Sequence, residues 1–222
     1  MSDNVVVDGI ARPTGMHGMF LELLFAGFYP NRILDVGANT GQFATLCHGV
    51  WPIAHVTSIE ANDKCLPTLN LISDEVHHAL VSDSEREVTF WCHDANELSL
   101  GNSYYRETLS CFPHTLPIQQ TTTTLSKLLA GKEPYELVKL DIQGAELDAI
   151  RGGRDIIRQA QYIVCETQYP PATNAGAPLR EDIEAELATL GFGDGILLEW
   201  WIEKETGRRI AEDWIYKRTT AN

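Results

Sequence analysis

Residues 33–44, Ile-Leu-Asp-Val-Gly-Ala-Asn-Thr-Gly-Gln-Phe-Ala, decide the fold. An apolar run ends in an acid, Asp35, and a turn of small residues follows: Gly37, Ala38, Asn39, Thr40 and Gly41. A pattern able to start a helix comes next. A strand feeding a helix through so small a loop leaves bare backbone against which a ligand can lie.

The spacing within the turn removes two ligand classes. A dinucleotide fingerprint needs G-x-G-x-x-G, but Asn39 and Gln42 stand where its second and third glycines belong. No Gly-Lys-Ser/Thr follows Gly41, so a Walker phosphate loop is absent too. Asn39 is tolerable there because Asn enters left-handed backbone more readily than most residues. An acid ahead of the first glycine repels a pyrophosphate and suits an ammonium group. S-adenosylmethionine offers an ammonium and a sulfonium and carries no phosphate.

Outward from the turn, strands are expected at residues 32–36, 55–60, 76–81, 136–142 and 161–166, with helices at 16–28, 64–71, 146–159 and 180–190 between or beside them. The 146–159 helix is expected to bend at Gly152-Gly153. An extra strand at 87–93 pairs with 118–123 as a small β insertion spanning about 87–123, and residues 94–115 form its polar loop. Residues 196–203 and 211–217 read as a terminal hairpin around Thr206-Gly207. The result is a single α/β domain over 1–222 with an N-terminal helical extension over about 1–30. Ligands in such sheets bind beyond the carboxyl ends of the strands. Asp35, Glu60, Asp141 and Glu166 each close one strand, so four carboxylates converge on one rim.

Composition narrows the partners. The chain of 222 residues has a formal net charge of −14 with only 17 Lys+Arg, and no basic stripe for nucleic acid is visible. The most apolar early run, 19–28, carries Glu22 and is too short to span a bilayer. The start Met-Ser-Asp-Asn is acidic, unlike a secretory signal, and the five cysteines are scattered with no C-x-x-C pair. A cytoplasmic protein is expected, with no nucleic-acid or membrane partner; a homodimer is compatible with this reading. His77 and His78 adjoin on a strand, so their rings point to opposite faces and share no metal.

Individual residues take expected roles. Glu60 follows Asp35 by 25 residues, and its carboxylate suits two ribose hydroxyls, with Ala61 beside it. Leu80, Val81 and Asp83 suit an adenine slot and a partner for its amino group. Lys139 on a central strand needs an anionic partner, either Asp141 or an acid on a neighbouring strand. Ser103 and Tyr104 in the insertion, with Gln143 and Glu146, suit an acceptor pocket. The Pro-rich loop at 170–178 is long enough to close over it as a lid. Trp200-Trp201 should place one indole in the core and the other toward solvent or a partner.

The glycine turn through Gly41, Glu60, Thr124-Leu125, Lys139-Leu-Asp-Ile-Gln-Gly-Ala-Glu146, Arg151-Gly-Gly153 and Ile163-Val-Cys-Glu166 together resemble the FkbM-type methyltransferases over about 30–217. The resemblance implies a class I, Rossmann-like fold: a seven-stranded, mostly parallel sheet ending in an antiparallel hairpin strand. It implies S-adenosylmethionine as cofactor, bound through Asp35, Gly37, Ala38, Asn39, Gly41 and Glu60, and O-methylation of a small-molecule or sugar acceptor. Ser126 departs from the family pattern, which has an acid there. Asp141 and Glu166 are the candidate bases, or together hold a divalent ion such as Mg2+; His17 and His93 are weaker candidates. The competing reading is a non-catalytic S-adenosylmethionine-binding or partner-interaction module on the same fold, and an NAD-dependent oxidoreductase fails on the glycine spacing.

Overall fold

In a computed structural model of the chain, residues 5–7, 10–12, 15–93, 101–109 and 115–219 are described, the first two segments by backbone alone. The short strands β1 (Val5–Val7) and β2 (Ile10–Arg12) pair antiparallel. The expected loop residues 94–100 and 110–114 and the side chain of His93 lie outside the described residues.

The apolar run that opens the glycine motif becomes β3 (Arg32–Val36), whose Ile33, Leu34 and Val36 are buried on both faces of the sheet. Parallel strands covered on both sides read as continuous apolar runs, as this one does. The expected parallel strands form at β4 (His55–Glu60), β5 (Glu75–His78), β9 (Leu137–Leu140) and β10 (Tyr162–Gln168). The hairpin is β11 (Phe192–Ile202) and β12 (Arg209–Arg218). Spatial order is β11-β12-β10-β9-β3-β4-β5, seven strands, with β12 antiparallel to both of its neighbours. The fold expected from the sequence is the fold observed.

Three expected elements differ in a way that shapes the site. The strand at 76–81 breaks at Ala79. Its first half stays in the main sheet, while β6 (Leu80–Val81) leaves to join β7 (Glu87–His93) and β8 (Thr115–Thr123) in a second sheet of order β6-β8-β7. The helix at 146–159 becomes α5 (Glu146–Gly152) and α6 (Arg154–Ile157). A Cβ on Gly152 would stand 2.1 Å from the Ser82 carbonyl oxygen, and one on Gly153 2.7 Å from the Leu125 Cβ. The glycine pair therefore lets the helix pass directly against the β6 turn and α4 (Leu125–Leu128). The first helix, α1 (Met16–Phe25), stops short of Phe28 because Gly27 turns left-handed, with φ +88°. Phe28 then folds back, and its carbonyl accepts from the Trp51 indole at 2.9 Å.

Remaining helices are α2 (Gln42–Val50), α3 (Leu66–Leu69) and α7 (Arg180–Thr189), with a 3-10 turn at Asp63–Cys65. His77 and His78 find separate partners, Glu75 and the Ala61 carbonyl. Ser126, the departure from the family pattern, donates to the Asp155 carboxylate, so an acid from α6 stands beside that position. Among the described residues no helix is long and apolar enough to cross a membrane.

Candidate functional site

The glycine turn is held from two sides. Gly37 and Ala38 donate their N–H groups to the Ile59 carbonyl at 2.9 and 3.1 Å, tying the turn to β4. Gly37 has φ +83°, and a Cβ there would lie 1.8 Å from the Asp141 carbonyl oxygen, so the loop after β9 rests on its bare face. Asn39 is left-handed at φ 47°, and Gly41, at φ 92°, caps α2.

Glu60 fixes the turn from below. Its Oε2 accepts from the Asn39 N–H and its Oε1 from the Asn62 N–H, both at 2.7 Å. Burial raises its pKa, and these backbone donors oppose the rise. Each oxygen keeps lone-pair capacity for a hydroxyl donor from the cavity that Glu60 lines.

That cavity, of about 630 Å³, lies outside the carboxyl ends of β3, β4, β9 and β10. Gly37, Ala38, Asn39, Glu60, Ala61, Leu80, Val81, Ser103, Tyr104, Asp141, Gln143 and Glu166 all line it, so most of the residues singled out from sequence meet in one space.

Four of those residues do not line it. Asp35 is fully buried behind the turn; its carboxylate lies 3.9 Å from the Lys139 Nζ and has no hydrogen-bond partner. The acid that sequence matched to a ligand's ammonium faces an internal one. Burial raises its pKa to about 7, with Lys139 pulling the other way. Gly41 supports the turn from the far side, where Ile72 packs on it. Asp83 turns away to ion-pair with Arg86 instead of facing an adenine slot. Glu146 is buried, and its carboxylate accepts from the Ile142 and Gly144 N–H groups at 2.8 and 2.9 Å. It shapes the turn around Gln143, which is left-handed at φ 55°.

The Lys139 expectation holds on both counts. Its Nζ donates to Asp141 at 2.7 Å and lies beside Asp35, its register partner on β3. Gln143 then bridges the two candidate bases: its Nε2 donates to Asp141 at 3.0 Å and to Glu166 at 2.7 Å. An amide and an ammonium thus occupy the carboxylates that were expected to share Mg2+. Among the described residues no group of three or more His, Cys, Asp or Glu side chains is arranged to hold a metal ion. The donor set does not fit one.

The insertion and the Pro-rich loop are hydrogen-bonded to each other. Asp148 on α5 accepts from both Tyr104 and Tyr105, at 2.7 and 3.1 Å, which sets Tyr104 at the cavity. The loop at 170–178, expected as a flexible lid, is stitched to the insertion. Thr108 N–H donates to the Thr173 carbonyl, Ala175 N–H to the Arg106 carbonyl, and the Asn174 amide to the Tyr105 carbonyl, at 2.8, 2.8 and 2.9 Å. Gln168 Oε1 ties down Thr173 from inside.

Sequence reasoning missed Asp213 and Trp201, both of which line the cavity. Asp213 is buried directly opposite Glu166 across β12 and β10. Burial and the nearby Asp141 raise its pKa to about 7, while Glu166 is pushed well above the usual carboxylate range by burial and the same neighbour. Two adjacent acids, Glu212 and Asp213, within an otherwise half-apolar strand were the available signal, since alternation forces one of them inward. The Trp200-Trp201 expectation fails: neither indole enters the core. Trp200 is 39% exposed under the Arg209 guanidinium, and Trp201 is 51% exposed at the cavity. His17 stands exposed at the rim.

Comparison with known proteins returns the same fold. A putative O-methyltransferase from Klebsiella pneumoniae superposes with TM-score 0.50 at 10% identity, covering 92% of this chain and 79% of that one. A precorrin-6y C5,15-methyltransferase from Geobacter metallireducens gives TM-score 0.48 at 10% identity over 92% and 87% of the two chains. The N-terminal domain of EvdMO1, solved with SAH bound, gives 0.47 at 12% identity over 99% and 91%. The curated proteins return no match. The methyltransferase FkbM domain profile matches residues 35–193, from the acid of the glycine motif to the start of β11. The chain belongs to the FkbM methyltransferase domain family, S-adenosylmethionine-dependent methyltransferases of class I fold.

Proposed function

We propose that the chain methylates a hydroxyl oxygen of a small molecule or sugar. When bound, S-adenosylmethionine supplies an electrophilic methyl group on a sulfonium. The turn from Gly37 to Asn39 gives it a backbone surface without side-chain bulk, and Glu60 offers two carboxylate oxygens to the ribose hydroxyls. The carboxylates and Gln143 that line the same cavity orient the acceptor; orientation alone can account for about 7–11 kcal/mol of a barrier. Glu166 takes the hydroxyl proton. Its upward-shifted pKa is in the direction a base working near neutral pH requires.

The observation that carries this reading is one cavity lined both by the glycine turn with Glu60 and by the carboxylates of Asp141, Glu166 and Asp213. The competing module reading drew its support from Trp200-Trp201 as a contact patch, and Trp201 lies at the cavity instead.

Glu60→Ala is expected to weaken S-adenosylhomocysteine binding about 10- to 100-fold in calorimetry, the loss of one or two charge-assisted hydrogen bonds. An affinity within twofold of the native protein's would remove Glu60 from the cofactor site. A methyl-transfer screen over hydroxylated metabolites and sugars tests the activity itself; turnover only on amines or thiols would overturn the O-methylation reading.

A further inference from the structure

Three strands at the end of the sheet present a two-row surface to the cavity. Residues two apart on a strand share a face. Glu166 and Gln168 on β10, Asp213 and Ala211 on β12, and Glu199 and Trp201 on β11 all line the cavity. Register aligns them across the strands. Glu166, Asp213 and Glu199 form one row, and Gln168, Ala211 and Trp201 form the next.

The first row is acidic and the second is shaped. Ala211, the smallest side chain of the six, lies between Gln168 and Trp201 and leaves a shallow depression flanked by an indole. Ile202 and Ile210 extend its apolar side. A bulge between Trp201 and Ile202 re-aims this end of β11. Trp201 stands diagonally across from Asp213, whose own register partner on β11 is Glu199, so the half-exposed ring lies beside the buried acidic row. A half-exposed large aromatic next to buried carboxylates suits a ligand with one apolar and one polar side. A pyranoside ring has that character: C–H bonds cover one face, and hydroxyls project from its edge.

We propose that Trp201 and Ala211 form the acceptor seat, holding a hydroxylated six-membered ring with its C–H face on the indole and its hydroxyl edge toward Asp213 and Glu166. The inference rests on the O-methyltransferase reading and narrows it to ring polyols. An acyclic polyol with as many hydroxyls can satisfy the carboxylates but lacks a face for the indole. An added side chain at Ala211 fills the depression while leaving Trp201 in place.

The test uses the full chain saturated with S-adenosylhomocysteine. Saturation-transfer NMR is run with a panel of methyl pyranosides and with sorbitol as the acyclic comparison. Ring C–H protons of at least one pyranoside should show strong saturation, and sorbitol should show little. Trp201→Ala should weaken that binding about tenfold or more, Trp201→Phe should retain most of it, and Ala211→Val should weaken it with tryptophan present. All three variants should bind S-adenosylhomocysteine within about threefold of the native protein, which also shows that they fold. Pyranoside binding unchanged in Trp201→Ala, sorbitol binding as well as the rings, or no pyranoside binding at all would each overturn the seat while leaving the methyltransferase reading intact. Trp201→Ala losing cofactor affinity as severely as Glu60→Ala would place Trp201 on the cofactor side and overturn the seat as well. A native protein that binds no S-adenosylhomocysteine would instead sink the function on which the seat rests.

Discussion

Gly37→Ala is expected to abolish measurable S-adenosylhomocysteine binding and to lower stability by about 3–5 kcal/mol in urea unfolding. Two effects add. A left-handed φ of +83° costs a residue with a Cβ about 1–2 kcal/mol. The new Cβ also falls 1.8 Å from a backbone oxygen, that of Asp141, where no rotamer change gives relief. Asp141 N–H is bonded to the Val36 carbonyl at 3.0 Å, so the loop after β9 moves only by breaking the β3–β9 ladder at its end. That loop carries Asp141 and Gln143, which line the same cavity as Gly37, so the collision reaches beyond the turn itself. Gly207→Ala separates the two effects: its φ is +70° and nothing lies within 4 Å of the added atom. It should cost only about 1–2 kcal/mol and leave binding unchanged. A Gly37→Ala protein that binds S-adenosylhomocysteine normally would show that the close approach has no part in the site.

What the sequence made legible, and what it hid, follows the range of the forces involved. The β3 turn and β4 were readable to the residue because local signals delimit them: apolar runs, an acid at each end and glycines needed by the turn. Lys139 was also readable as a buried charge in need of an anion, and both available anions answered. The neighbour of Asp35 was hidden for a related reason. An acid beside a glycine turn looks alike whether it faces a ligand or a lysine on the next strand, and only strand register decides. Asp83 is a similar case, captured by Arg86 three residues on. The loop at 170–178 has the composition of a flexible segment. Hydrogen bonds to residues more than sixty positions earlier join it to the insertion. Asp213 and Trp201 lay deepest from view. The hairpin itself was predictable, but β12 inserts between β10 and β11, and this long-range pairing brings Asp213 opposite Glu166.

Lys139→Met should destabilise the protein by about 3–5 kcal/mol at pH 8 and by much less at pH 5. Burial opposes the lysine's charge, but Asp141 and Asp35 outweigh that and keep it protonated. Removing it leaves Asp35 wholly buried with no cation and no hydrogen-bond donor. The pH dependence follows from Asp35's own titration. Its pKa in the folded protein is about 7 against an ordinary 3.8, so as pH rises the unfolded chain releases this proton first. Between those values the folded state binds more protons than the unfolded state, and stability falls with increasing pH. Above about 7 both states are ionised and the loss levels off in the native protein. Asp213 and Glu146, also raised to about 7, contribute slopes of the same sign. Lys139 lowers the Asp35 pKa, so without it the folded-state value rises further and the decline continues past pH 7. At pH 5 Asp35 keeps its proton in either folded protein, and the gap between mutant and native is smallest. Replacing Asp35 with Asn in the Lys139→Met background removes the charge that needs a partner and should recover much of the pH 8 loss. Urea titrations of the four proteins across pH 5–8.5 measure this directly. A Lys139→Met penalty that is independent of pH, or one that Asp35→Asn leaves untouched, would mean that the lysine is there for Asp141 alone.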